Sequence, residues 1–285
     1  MTSVLVLIAA PQSNAINADV IARVGTEPKW LAQGCAAEFA EPHDLAALRK
    51  KLAGLPIDIN LVPMQNRRKK LLIADMDSTM IQQECIDELG MVAGVGDRIK
   101  AITVRAMRGE IDFADALRER VGLMAGLDAG VIDEIVRDNI TLMPGATTLV
   151  ATMKANGAYT ALVSGGFRQF TSRVARLVGF HTHEANDLII ENGKLAGRVG
   201  EPILGKHAKV EALNRLSTER GLDAADAIAV GDGANDIPML QAAGMGVALH
   251  AKPKVQESAP FCIDHGDLTA LLYLQGFSDR EFVGQ

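Results

Sequence analysis

The chain has 285 residues, 48% hydrophobic and 22% charged, with a net charge of −6 at pH 7. This is globular composition with ample material for a core, and its acidic balance speaks against a nucleic acid or an anionic membrane as partner. No uninterrupted apolar run reaches membrane-spanning length, and the apolar stretch Val4 to Ala10 lacks a basic flank, so a soluble, untargeted, cytoplasmic chain is expected.

Residues 1–66 differ in character from the rest of the chain. Ser3 to Ala9 reads as a strand, Asp19 to Val24 as a short helix and Cys35 to Phe39 as a weak strand. His43 to Leu52 has helical spacing with Asp44 in its first turn, and Ile57 to Val62 alternates as a strand does. The β–α–β–α–β order suggests a small α+β domain, similar to a pared-down amino-acid-binding regulatory (ACT-like) domain. A packing or dimerising appendage, and with it a homodimer, fits the same pattern, because no residue here is chemically pointed. The basic run Arg67 to Lys70 reads as a solvated linker.

Leu71 to Ala74 is a short apolar run, predicting a buried parallel strand that ends in Asp75, Met76, Asp77, Ser78 and Thr79. Helical patterns come next at Gln82 to Val92, Asp97 to Arg108, Asp112 to Val121 and Ala129 to Asn139. An insert placed directly after a strand tip is positioned to cover it. From Met143 a βα rhythm resumes. Helices are predicted at Ala146 to Asn156, Arg168 to Val178, His207 to Glu219, Ile237 to Ala243 and Leu268 to Tyr273. Strands are predicted at Tyr159 to Val163, Ala227 to Val230 and Gly246 to Leu249, with a hairpin over Asp187 to Val199 turning at Asn192-Gly193. The alternation implies an α/β fold with a parallel sheet covered by helices on both faces. Cys35, Cys85 and Cys262 match no zinc or redox spacing and read as reduced thiols.

Chemistry collects where the predicted strands end: at Asp75 and Asp77, at Ser164-Gly165-Gly166, and at Gly231-Asp232-Gly233-Ala234-Asn235-Asp236. Open α/β sheets place ligands at their carboxyl edge, where these tips are neighbours. Acids converging there without paired His or Cys favour a hard cation, Mg²⁺, whose usual companion is phosphate. Ser164, Gly165 and Gly166 start a helix and offer a hydroxyl with N–H groups suited to phosphate, and Lys209 or Lys206 would neutralise further charge. These are the parts of a phosphoryl-transfer site. Asp75, nearer the strand, is the expected nucleophile; Asp77, on the turn, is the expected acid/base. A lone Asp-x-Asp, Ser-Gly-Gly or Gly-Asp-Gly is weak evidence, and the expectation rests on their joint occurrence at successive strand ends.

Asp75-Met76-Asp77-Ser78-Thr79 after an apolar strand, Val163 to Phe167, the downstream lysine and Gly231 to Asp236 resemble the motifs of the haloacid-dehalogenase-like phosphatases. Glu84, Cys85, Leu117 to Val121 and Met239 resemble the branch of that family that acts on phosphoserine. The resemblance covers about residues 70–285. It implies a Rossmann-like core at 67–81 and 143–285, a helical cap at 82–142, and 1–66 as a separate domain. It implies an aspartyl-phosphate on Asp75, with Mg²⁺ held by Asp75, the Asp77 carbonyl and Asp232 and with Asp236 behind them. Ser164, Gly165, Lys209 (in preference to Lys206) and Asn235 would bind the phosphate, Glu84 the ammonium and Arg120 the carboxylate of phosphoserine. The expected reaction yields serine and phosphate, the last step of serine biosynthesis; the alternative is another small phosphorylated metabolite, with the N-terminal segment a ligand-binding module.

Overall fold

A computed structural model describes residues 2–42 and 44–284. His43, which opens the second predicted helix, lies outside the described residues. The N-terminal region runs β1 (Ser3–Ala9), α1 (Ala18–Val24), β2 (Lys29–Ala32), β3 (Ala36–Ala40), α2 (Leu45–Lys51) and β4 (Ile57–Pro63). Its strands form an antiparallel sheet in the order β2-β3-β1-β4. The sequence pattern misses β2, whose alternation is broken by a register shift between Trp30 and Ala32 and whose first residue is exposed. With β2 the order becomes β–α–β–β–α–β, the split-βαβ arrangement. Asn17 opens α1 by accepting the N–H groups of Asp19 and Val20, and Gly25 closes it in the left-handed conformation. Leu5, Leu7, Val20, Phe39, Leu48 and Ile57 fill the core of this layer.

The chain continues through β5 (Leu71–Ala74), α3 (Cys85–Val92), α4 (Gly96–Met107), α5 (Phe113–Gly122), α6 (Val131–Asp138), α7 (Ala146–Ala155) and β6 (Tyr159–Phe167). Then come α8 (Arg168–Val178), β7 (Thr182–Asn186), β8 (Leu188–Glu191), β9 (Lys194–Val199) and α9 (Lys206–Glu219). It ends with β10 (Ala227–Gly231), α10 (Ile237–Ala242), β11 (Met245–Leu249), α11 (Pro253–Ser258), β12 (Phe261–Ile263) and α12 (Ala270–Leu274). A six-stranded sheet has the order β12-β11-β10-β5-β6-β7, with β12, β11 and β10 mutually parallel and β6 parallel to β7. The predicted parallel α/β core is therefore present. Among the described residues no helix is long and apolar enough to cross a membrane.

Two compact units emerge, one of Met1–Ile73, Met143–Thr160 and Leu213–Gln285, the other of Ala74–Leu142 and Ala161–Ala212. Within the first, polar side chains bind the N-terminal sheet to the C-terminal segment. Asn60 donates to the Cys262 carbonyl at 3.0 Å and accepts its N–H at 3.2 Å. Asp58 accepts N–H groups from Asp264, His265 and Gly266. Buried Arg67 donates to the carbonyls of Leu274 and Tyr273 and pairs with buried Glu38. Within the second unit, the helical insert is joined to the β8–β9 hairpin by main-chain bonds, Gly126 N–H to Leu195, Leu195 N–H to Leu127 and Ala129 N–H to Gly193, each 2.8 Å. The hairpin turns through Asn192 and Gly193, both at positive φ, as its dipeptide predicts.

Burial raises the Glu38 carboxyl, but hydrogen bonds from Lys29 and Arg67 outweigh it and hold the group below its ordinary 4.5. Glu38→Ala leaves a buried guanidinium without its counter-charge and should cost about 3 kcal/mol in urea unfolding. Because the folded pKa is depressed, the stabilisation is complete above pH 4.5 and is lost as the pH falls through the lower folded value. The variant should lack that part of the acid-dependent loss.

Candidate active site

β5 ends at Ala74, so Asp75 and Asp77 lie on the turn beyond the strand. The Met76 carbonyl gathers the N–H groups of Thr79, Met80 and Ile81, and Ser78 takes a positive φ of 54°, a strained conformation for a serine. Asp75 is 6% exposed. Its Oδ1 accepts the Met76 N–H at 2.8 Å and lies 2.7 Å from Lys209 Nζ. Lys209, on α9, is 2% exposed, so both charges are buried together. The side chain of Lys206, the alternative lysine, lies outside the described residues.

Asp77 Oδ1 accepts the N–H of Cys85, the first residue of α3, at 3.0 Å. Its other oxygen occupies space that a side chain at position 166 would need: a Cβ on Gly166 would lie 2.8 Å from Asp77 Oδ2 and 3.0 Å from Ser164 Oγ. The glycine lets acid and hydroxyl approach one spot. Burial, then the charge of Glu84, pushes the Asp77 carboxyl up to about 7. A carboxyl that keeps its proton to neutral pH is suited to donate it.

Ser164, Gly165 and Gly166 lie within β6; they do not open a helix, which starts at Arg168. The register of β6 on β7 shifts between Val163 and Phe167, so the three residues form a bulge, as strands often do beside functional sites. The Gly166 N–H, expected to be available to a phosphate, instead donates to Ser164 Oγ at 2.8 Å. Phe113, at the head of α5, lies against Gly165, where a Cβ would come within 3.2 Å of its ring.

Glu84 stands at the N-terminus of α3, exposed, and accepts a hydrogen bond from Ser78 Oγ at 2.7 Å. Arg120, half-buried on α5, donates to the Ala116 carbonyl and, at 3.4 Å, to Thr103 Oγ1. Burial lowers the pKa of its guanidinium, against the charges of Asp87 and Glu84. In the loop after β10, the glycines again make room for side chains. A Cβ on Gly231 would collide with Asp236, and one on Gly233 with Asn235. Buried Asp236 accepts the Gly233 N–H at 3.0 Å. Asp232 and Asp236 lie on the loop after β10 and, like Asp75 beyond β5, offer carboxylate oxygens, donors of the kind that Mg²⁺ takes.

The sequence pattern overlooked Asn186. It lies at the end of β7, a strand obscured by its polar run Thr182-His183-Glu184. It is 2% exposed and bonded to the backbone of both Gly165 and Leu204.

Residues 72–241 match the haloacid dehalogenase-like hydrolase family. The chain is 45% identical over 210 residues to a phosphoserine phosphatase of Haemophilus influenzae, across 74% of this chain and 67% of that one. A HAD family hydrolase from Salmonella enterica serovar Typhi superposes with a TM-score of 0.85 at 29% identity, covering 95% of this chain and 98% of that one. A phosphoserine phosphatase solved as a phospho-aspartyl intermediate analogue superposes with a TM-score of 0.67 at 38% identity, covering 72% and 98%.

In metal-free protein the folded state should hold the Asp77 proton to about pH 7, whereas the unfolded chain releases it near 3.8. The folded state then binds more protons between these values, so stability falls as pH rises through the window. Urea midpoints measured in EDTA should show that decline, and Asp77→Asn should flatten it. An unchanged slope in the variant would refute the assignment.

Proposed function

The chain belongs to the haloacid dehalogenase-like hydrolases, and on that premise we propose that it hydrolyses O-phospho-L-serine to L-serine and phosphate through an aspartyl-phosphate. The reaction would be the closing step of serine biosynthesis. The observation that carries the reading is the pairing of unlike acids at the β5 tip. Asp75 is buried beside the Lys209 ammonium, while Asp77 two residues on holds its proton to about pH 7. In the first step an Asp75 carboxylate oxygen attacks phosphorus, the bond from phosphorus to the serine oxygen breaks, and that oxygen takes the Asp77 proton. In the second, Asp77 takes a proton from water as the water oxygen attacks phosphorus, releasing phosphate and restoring the Asp75 carboxylate. Lys209 fixes the attacking carboxylate and adds positive charge beside the phosphate. Ser164, Gly165 and Asn235 complete the phosphate contacts.

Mg²⁺ would be held by Asp75, the Asp77 carbonyl and Asp232, with Asp236 supporting them. When bound, it supplies positive charge that offsets the repulsion between phosphate and carboxylates. Residues 82–142 serve as the cap, 67–81 and 143–285 as the catalytic core, and 1–66 as an accessory domain. Glu84 meets the substrate ammonium and Arg120 its carboxylate, for which a planar guanidinium is suited. The free cysteines Cys35, Cys85 and Cys262 favour a cytoplasmic setting.

Phosphate release from phosphoserine should require Mg²⁺, stop in EDTA, and fall by about 10⁴-fold or more in Asp75→Asn with the fold intact. Retained turnover in that variant would overturn the mechanism. Glu84→Ala and Arg120→Ala should each lower kcat/KM for phosphoserine by about 10- to 100-fold and leave an aryl phosphate nearly unaffected. Equal losses on both substrates would instead favour another small phosphorylated metabolite as the natural substrate.

A further inference from the structure

We propose that Asn186 is a positioning residue that locks the phosphate-binding bulge of β6 to the segment leading into the Lys209 helix. The assignment rests on the phosphatase reading of this site. Asn186 Nδ2 donates to the Gly165 carbonyl at 2.9 Å and to the Leu204 carbonyl at 3.2 Å, and Oδ1 accepts the Leu204 N–H at 2.6 Å. Both amide protons and the carbonyl oxygen are therefore engaged at a side chain 2% exposed.

The peptide unit joining Gly165 to Gly166 is held at both ends. Asn186 takes its carbonyl, and Ser164 Oγ takes its N–H at 2.8 Å. The ladder with β7 passes over that peptide, because β6 meets β7 at Val163↔Glu184 and next at Phe167↔Asn186, with the bulge between. The Asn186 side chain supplies the contact that the ladder omits. Its other contact, Leu204, lies two residues before α9 (Lys206–Glu219), which carries Lys209 to within 2.7 Å of Asp75. One amide thus ties the residues that would seat the phosphate to the helix whose lysine meets the attacking carboxylate.

Only an amide of this length makes all three contacts at once. A carboxylate has no proton for two carbonyls, an apolar isostere leaves buried backbone groups unsatisfied, and Gln adds a methylene to a closed site.

The test uses full-length protein with saturating Mg²⁺. Asn186→Ala and Asn186→Asp are compared with wild type at a temperature where near-ultraviolet circular dichroism shows them folded. Expected is a fall in kcat of about 10- to 100-fold on phosphoserine and on 4-nitrophenyl phosphate alike. Calorimetry should show weaker binding of inorganic phosphate. Asn186→Ser, which keeps one donor and one acceptor, should recover part of both losses, and it carries the same measurements if the alanine variant does not fold. A lowered melting temperature with kcat and phosphate affinity within twofold of wild type would reduce Asn186 to a structural role and overturn the proposal. If wild type does not use phosphoserine, the reading of substrate fails while the aryl-phosphate and phosphate-binding measurements still decide the role of Asn186.

Discussion

The contact between Asp75 and Lys209, a carboxylate and an ammonium 2.7 Å apart, is the constraint to which the candidate site is fitted. Either charge buried alone would cost several kcal/mol; buried together, each offsets the other. The pair requires α9 to present one particular lysine to the tip of β5. It also requires the chain beyond Asp75 to turn at once, which it does by folding Thr79, Met80 and Ile81 back onto the Met76 carbonyl. Asp77 is left in a different environment, bonded to the head of α3 and facing the negative charge of Glu84. Two acids separated by a single residue are thereby made unlike, one paired with a cation and one holding a proton.

Glycine has the same use throughout these loops. At 166, 231 and 233 the missing Cβ leaves space that a side chain of the candidate site fills: Asp77 and Ser164, Asp236, and Asn235 respectively. These glycines are needed for proximity, since none of the three is among the residues at positive φ. That is why acids and glycines alternate so densely at the strand ends.

That alternation is also why much of the site was legible in the sequence. Asp75, Asp77, Ser164 and Asp232 each come after a short apolar run, and both the run and the polar cluster are local signals. The second N-terminal helix was legible for a similar reason, through Asp44 in its first turn. What could not be read depends on contacts between distant segments. β2 is broken by a bulge, and β7 is an edge strand whose first three residues, all polar, are only partly buried, so neither shows strand alternation. The bulge at Ser164 to Gly166 looks in sequence like a helix start, since Gly-Gly before a helical pattern has the same composition in both cases. Asn186 acts through backbone groups at 165 and 204, and nothing about an isolated asparagine announces partners so far along the chain. The chain similarly hides its main-chain links between Gly126 to Ala129 and the hairpin.

Asn60 behaves as a substitute peptide: its side-chain amide gives Cys262 the donor and acceptor that a neighbouring strand would. β4 ends the four-stranded sheet and β12 ends the six-stranded one, so each would otherwise present an open row of backbone groups. Such rows are templates for pairing with other chains. Asn60, with Asp58 across residues 264–266, occupies backbone groups along and just beyond β12. Removing residues 1–66 would uncover those backbone groups and leave a border on which the strand of another chain could pair.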